Sequence, residues 1–470
     1  MAQVSFGGNA GLGSGGGEIK TASGDDAGKF TGLGAVLKEE WSDEVTTQFN
    51  NEALCYTILS EGAEDELWQG EYYVEPVHTG RHRSGSAGRE TDAYPETGNQ
   101  SYDQMQIGVS FYRTSGRITS KAMLAAEQGD ASAVRALTSE IRGALRDLIL
   151  EVNVDCYGTQ AGVLGELDAA DDGADGLTIK NAHVGGEYWD SHGTRYFSSG
   201  RSMPIMTGTL ATDTGVLTIT GVGTVDTVDS RTALSVSEND FDGALDNDLI
   251  LRRPSSGFTV GGTGGTPTLN FGLCGLEQMI DDGTGLPQYL DTDYFGINRN
   301  TDSLFKSEVR DMGGAALTEA DLQNFLDAIG ERSGETPDCL LMHRSVRTKL
   351  VDLFSGDRRF QPQQYAGGFK GEYLVYNPGD GDIDVFVDRH ATYKTIYAIN
   401  KDYMKRYTLS GAHLVDYDGS ALRQKSDSPS WEWNVEAYFQ MACTKPNTCG
   451  KLFNMAADET FGNAGFLPEF

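Results

Sequence analysis

The stretch Met105-Gln-Ile-Gly-Val-Ser-Phe111 places Met105, Ile107, Val109 and Phe111 at strictly alternating positions. A period of two marks a strand with one face inward. Upstream, Trp68, Tyr72, Val74 and Val77 suit a strand running the other way, so the two form a hairpin. Its tip, Thr79 to Asp103, is polar and rich in Gly, Ser and Arg. A tip that long is unusual for an ordinary hairpin, and long loops are often functional or disordered. Arg81, Arg83 and Arg89 share it with Glu90, Asp92 and Glu96. Mixed charge of this kind suits ion pairs to another subunit, where arginine grips a carboxylate through two hydrogen bonds. It suits an ordinary solvated loop equally well.

Working outward, Val134, Leu137, Ile141, Leu145, Leu148 and Val152 recur at three-to-four spacing. They predict one helix from about Asp130 to Tyr157, roughly 40 Å long at 1.5 Å per residue. Its polar residues Arg135, Glu140 and Asp147 form no i, i+4 metal pair, so the helix reads as a brace. Before the hairpin, residues 1–34 contain 11 glycines and read as an extended arm. Val36, Leu37, Trp41, Val45 and Phe49 then predict a short amphipathic helix.

After the long helix, residues 165–200 read as loops. Residues 207–268 hold 13 threonines and no lysine, cysteine or histidine. With strands at Val216–Thr220 and Ala233–Ser237, they read as a small inserted β subdomain. Thr318-Glu-Ala-Asp321 resembles a helix-capping box and precedes Leu322, Phe325, Leu326 and Ile329. Cys339–Met342 reads as a strand, followed by a helix bearing Val346, Leu350, Val351 and Phe354. Further strands are expected at Tyr373–Tyr376, Ile383–Val387 and Thr395–Ile399. Last, Trp431, Trp433, Val435, Ala437 and Phe439 share one face of a strand, with Glu432, Asn434 and Glu436 on the other.

The chain of 470 residues is long enough for two to four domains, and its net charge is −32. That acidity argues against a protein that coats nucleic acid through a basic face. The first residues show no basic and apolar leader, and no run of 18 apolar residues occurs, so neither a secretory signal nor a membrane span is expected. Most of the six cysteines read as buried free thiols, which favours a reducing compartment. Cys443 and Cys449 flank Pro446-Asn447, where a turn would also allow a disulfide.

No catalytic, cofactor or metal site assembles by spacing. Gly11-Leu-Gly13-Ser-Gly15-Gly16 follows no strand and opens no helix, which excludes a dinucleotide fingerprint. Gly28-Lys29 lacks the upstream glycine of a phosphate loop. His78 and His82 fall in the loop rather than on one helix face. The acidic groups Asp168, Asp171, Asp172, Asp175 and Asp380, Asp382, Asp384 lack the calcium-loop pattern and read as solvated turns. No GxSxG elbow is present.

The order of these elements resembles the major capsid proteins of tailed double-stranded DNA phages, with the Hong Kong 97-type shell fold. The resemblance rests on Leu37–Leu59 as an arm, Gly62–Ser115 as the protruding E-loop, and Ala131–Tyr157 as the spine helix. Gly272–Asp281, Leu317–Ile329 and Leu340–Phe354 resemble the axial-domain core, and Thr395–Asn400 with Trp431–Phe439 the return strands. It implies an α+β fold divided as follows: an extension over 1–34, an arm helix over 35–61, and an E-loop over 62–118. A peripheral domain over 119–165 carries the spine helix. An axial domain spans 166–404 with a β insertion at 200–268, and return strands and tail fill 405–470.

The resemblance further implies a non-enzymatic subunit without cofactors. Copies would self-assemble as pentamers and hexamers into an icosahedral head around DNA, in the host cytoplasm. Separate scaffold, portal and decoration proteins are its expected partners, DNA is contacted without sequence preference, and no membrane is involved. The N-terminal arm is expected to stay uncleaved. Some members cross-link subunits from an E-loop lysine, but no lysine lies between Lys38 and Lys121 here. An encapsulin-like cellular compartment and a secreted β-rich binding protein are the alternatives. The β insertion weighs against the first, and the missing leader against the second.

Overall fold

The computed structural model describes residues 54–61, 65–67, most of 70–120, 131–168, the strands between 176 and 252, and most of 272–456. The glycine-rich start and the helix expected over Val36–Phe49 lie outside the described residues. Phe49–Ser120 with Glu140–Phe470 make one compact unit. The other is Met1–Gln48 with Lys121–Ser139, of which only 131–139, the start of the long helix, is described.

The expected alternating strand near the end is the longest among the described residues, Ser430–Cys443. Trp433, Val435, Ala437 and Phe439 are buried, and Glu432, Asn434 and Glu436 are half-buried on the other face. It pairs antiparallel with Met404–Leu414 and Arg423–Gln424 on one side and with Ser110–Thr119 on the other. Asp65–Leu67 adds in parallel to Met404–Leu414, completing five strands. Trp433 lies flat on Gly116, where an added Cβ would sit 2.1 Å from the indole Cζ2. Glycine at 116 is therefore a packing requirement of Trp433.

The return strand read over Met105–Phe111 is in fact two strands in two sheets. Ser101–Ile107 pairs with Tyr73–Gly80 in a two-stranded ribbon, while Ser110–Thr119 enters the five-stranded sheet. Gly108 and Val109 form the break. Met105 and Ile107 are buried before it, yet Tyr112 is buried and Phe111 exposed after it. The parity of burial flips at the break, so the alternation of apolar residues ran through without registering the change of sheet.

The inserted β subdomain is a closed six-stranded barrel. Its order is Leu249–Arg252, Val163–Leu167, Gly176–Ala182, Ala233–Val236, Leu217–Val228 and Met203–Leu210. It thus begins at Val163, inside the span expected for the peripheral domain, and not at 200. Strands of five and seven residues are too short for periodicity to separate them from loops. Leu164, Leu167, Ile179, Val225 and Ile250 fill the core, and Val154 of the long helix joins them.

A mixed six-stranded sheet runs Glu308–Asp311, Gly450–Phe453, Ile396–Ile399, Cys339–Met342, Ile383–Val387, Leu374–Tyr376. Helix Glu319–Ser333 begins as the sequence predicts, with Thr318 Oγ1 accepting a hydrogen bond from Asp321 N at 3.2 Å. It ends on Gly334 with φ 78°. Leu322, Phe325 and Ile329 pack with Val346 and Leu350 of helix Arg344–Ser355 onto Leu340, Met342 and Ala398. Gly450–Phe453 returns to this sheet, so the segment 405–470 supplies both sheets.

The long helix runs Ala131–Asp155. Leu148, Leu150, Val152 and Val154 are buried, whereas Ile141 and Leu145 are only half-buried and Ile149 is exposed. Its C-terminal end is clasped by the segment around helix Leu276–Met279, with Leu276 N donating to Cys156 O at 2.7 Å. Gly275 makes the approach: a Cβ there would lie 2.3 Å from Gly158 O and 2.4 Å from Asp155 O. Gly275→Ala should lose about 1–3 kcal/mol in urea unfolding of the unassembled subunit, and a loss below about 0.5 kcal/mol would contradict the close approach. Leu148→Ala should cost about 2–5 kcal/mol, and Leu145→Ala clearly less, because Leu145 already meets solvent.

Candidate assembly surface

The ribbon of Tyr73–Gly80 and Ser101–Ile107 has two unlike faces. Its inner face is tied to the body. The Tyr73 ring lies 4.6 Å from that of Tyr407, Lys405 Nζ is 3.0 Å from Glu75 Oε1, and Gln106 N donates to Phe295 O at 2.8 Å. Its outer face carries Val74, Pro76, His78 and Tyr102, with Tyr72 just before it, all exposed. Val74 is 47 % and Tyr102 66 % exposed, and the Tyr102 ring rests 5.2 Å from His78. The register sets exposed Gln104 and Gln106 on this face beside Pro76 and Val74, and the large apolar side chains left in solvent among them mark an interaction surface.

At the tip, Arg81, Arg89, Glu90, Asp92 and Glu96 are exposed, and Arg83 lies outside the described residues. Among the described tip charges only Arg89 and Asp92 meet: Asp92 Oδ2 accepts from Arg89 N at 2.7 Å, and Asp92 N donates back to Arg89 O. Among the described residues, Arg81, Arg89, Glu90 and Glu96 form no ion pair within the chain. Sequence reasoning found the charges and missed the apolar outer face. The sequence marks Tyr72 and Val74 as strand residues but does not say which face of the strand the chain itself covers.

A second apolar feature is a groove between the long helix and the five-stranded sheet, lined by Tyr56, Ile149, Val152, Ala412, Ala437 and Phe439. Ile149 is 40 % exposed. On the same sheet Phe111 is 61 % exposed, with its ring 5.2 Å from Tyr438 and the Arg113 guanidinium over both rings at 5.6 and 5.7 Å. Arg113 also approaches Glu436 at 3.6 Å.

Behind these faces a buried joint holds the elements in place. Asp388 Oδ2 accepts hydrogen bonds from Cys55 N at 3.2 Å, Asn153 Nδ2 at 3.1 Å and Tyr157 OH at 3.0 Å. Its Oδ1 accepts from His390 N at 2.9 Å. Asn153 Oδ1 in turn accepts from Tyr56 N, and Tyr196 OH donates to the His390 carbonyl. Asp155 accepts from Tyr112 OH at 2.8 Å, and that oxygen accepts from Leu273 N.

The thiols are suited to packing, not to chemistry. All six cysteines are free and buried. Burial raises the Cys55 thiol and pushes Cys274 up to about 12. Cys443 and Cys449 stand 4.0 Å apart, unbonded, and the hydrogen bond between them raises Cys443 further. His78 packs on Tyr102, while His82 bonds Ser84 Oγ at 2.8 Å. Among the described residues no cluster of His, Cys, Asp and Glu is arranged to hold a metal ion, and no helix is long and apolar enough to cross a membrane.

Residues 260–437 match the family model described as SU10 major capsid protein. No curated protein sequence matches the chain. Among solved structures, the capsid asymmetric unit of cyanophage A-1(L) aligns over 90 % of this chain and 98 % of its own, with a TM-score of 0.51 at 12 % identity. The capsid of a native GTA particle aligns over 89 % and 96 %, with a TM-score of 0.45 at 9 % identity. Mycobacterium phage Bobi aligns over 90 % and 96 %, with a TM-score of 0.42 at 8 % identity. The family match is confined to residues 260–437, and the fold is the Hong Kong 97-type fold that the chain shares with the cyanophage shell.

Proposed function

We propose that the chain works by self-assembly, as pentamers and hexamers that tile an icosahedral head around packaged DNA. The observation that carries this reading is the ribbon's exposed outer face of Tyr72, Val74 and Tyr102. It is held out from the body and matched elsewhere on the chain by the apolar groove at Ile149. One subunit's outer face seated on the next subunit's helix and sheet would bury both. The tip charges at Arg81, Arg83, Arg89, Glu90, Asp92 and Glu96 then pair with that neighbour. A closed shell repeats the contact many times, so each can be weak while the whole is stable.

The role is structural, with no turnover of a substrate and no cofactor, and the chain resides in the virion after assembly in the host cytoplasm. A net charge of −32 fits a shell that encloses DNA without coating its phosphates. Scaffold, portal and decoration functions fall to other proteins. The division into E-loop, peripheral domain with spine helix and axial domain with β insertion is part of the same proposal.

The double variant Val74→Glu, Tyr102→Glu should keep the circular dichroism of the wild-type subunit. Its yield of shells on a sedimentation gradient should fall at least about tenfold, the effect of losing ~1.4 kcal/mol at even one contact per subunit. Wild-type yield would refute the docking role of this face. Reversing Arg81, Arg83 and Arg89 to Glu should likewise impair assembly of a folded subunit, and more so at low salt than at high salt. A loss that does not vary with salt would argue against ion pairing at the tip.

A further inference from the structure

Away from the assembly surface, four charged side chains are buried together. Glu277 stands on the short helix Leu276–Met279, Asp281 just beyond it, Arg299 after the strand Ile297–Asn298, and Lys451 on the strand Gly450–Phe453. All four are buried, none more than 8 % exposed. Lys451 Nζ lies 2.7 Å from Glu277 Oε2 and 3.9 Å from Asp281 Oδ1. Glu277 Oε1 accepts a hydrogen bond from Tyr397 OH. Arg299 donates to Gln278 O at 2.6 Å and Met279 O at 3.1 Å, and reaches Asp281 Oδ2 at 3.9 Å.

This is a reactive arrangement as well as an ionic one. Lys451 and Glu277 are both buried and share one short hydrogen bond, so the proton between them can move without help from bulk water. One proton transfer along the Lys451–Glu277 hydrogen bond yields an amine facing a carboxylic acid. Reacting groups fixed in contact gain a very high effective concentration. Exclusion of bulk water removes the solvent that would drive hydrolysis. Burial also holds Asp281 above the usual carboxylate range, against the pull of Lys451 and Arg299, which suits it to exchange a proton.

We propose that Lys451 and Glu277 condense into an intrachain isopeptide bond. After the proton transfer, the Lys451 Nζ lone pair attacks Glu277 Cδ, and the C=O electron pair moves onto Oε1, which the Tyr397 hydroxyl stabilises. Asp281 takes a proton from the attacking nitrogen and passes it to Oε2. The C–Oε2 bond breaks, water leaves with that electron pair, and the carbonyl reforms. One C–N bond forms, one C–O bond breaks, one water is released, and nothing is oxidised or reduced. The product ties the last described strand to the segment that clasps the long helix, and it is independent of the assembly reading.

Intact mass spectrometry of the full-length wild-type chain, denatured after purification, tests this directly. The chain should weigh roughly 18 Da less than its sequence mass, one water having been lost. Proteolysis should then yield the Lys451 peptide joined to the Glu277 peptide. Lys451→Arg should restore the full sequence mass. Tyr397→Phe should slow bond formation, followed by mass after synthesis, by at least about tenfold through loss of the oxyanion donor. A wild-type chain at full sequence mass would overturn the proposal, as would a water loss that maps to other residues. Bond formation at the wild-type rate in Tyr397→Phe would overturn the part assigned to that hydroxyl.

Discussion

The carboxylate of Asp388 is the point on which the rest of the structure depends. It is 3 % exposed and accepts four hydrogen bonds. Those bonds come from the helix Leu54–Glu61, from Asn153 on the long helix, from Tyr157 in the turn just after it, and from the turn that follows its own strand. A charge taken out of water at this depth is tolerable only when its acceptor sites are filled. The converse holds for the elements around it, because each is oriented by the donor it must present. Asn153 in the last turn of the long helix and Tyr157 in the turn just past it both reach this one carboxylate, which fixes the rotation of the long helix about its axis. That rotation sends Val154 into the barrel core and leaves Ile149 at the surface groove.

Among the described residues, some parts close their own core and others do not. The barrel and the six-stranded sheet each close their own core. The ribbon and the half-buried stretch of the long helix do not. A two-stranded ribbon is marginal alone in water and needs packing on one face. Here the inner face is packed on Tyr407 and Lys405, while the outer keeps Val74 and Tyr102 in solvent. Such a surface would be a liability in a protein that works as a monomer, and it is an asset in a subunit whose neighbours cover it.

Much of this was legible in the chain. Cys339–Met342 and Ile383–Val387 are found at the residues expected, because fully apolar or strictly alternating runs with clear breaks leave little choice of structure. Thr318 caps its helix because a hydroxyl three residues from an N–H has one geometry available. What escaped is of another kind. The sheet change at Gly108-Val109 conserves the apolar alternation while reversing its meaning. The barrel recruits Val163–Leu167 through partners some 80 residues away in sequence at Leu249–Leu251, and no local pattern reports a partner. The strands Glu308–Asp311 and Gly450–Phe453 are four residues each, too short to announce themselves. At the candidate surface the charged tip was legible from composition. The apolar outer face was not, because alternation shows that a strand has two faces but not which of them the chain itself will cover.

Electron cryo-microscopy of particles formed by the full-length recombinant chain tests the central claim most directly. The account predicts closed icosahedral shells in which the ribbon's outer face, Val74 and Tyr102, lies against the long helix and five-stranded sheet of the next subunit. A chain that stays monomeric and folded under every assembly condition, or shells in which that face points into solvent, would contradict it.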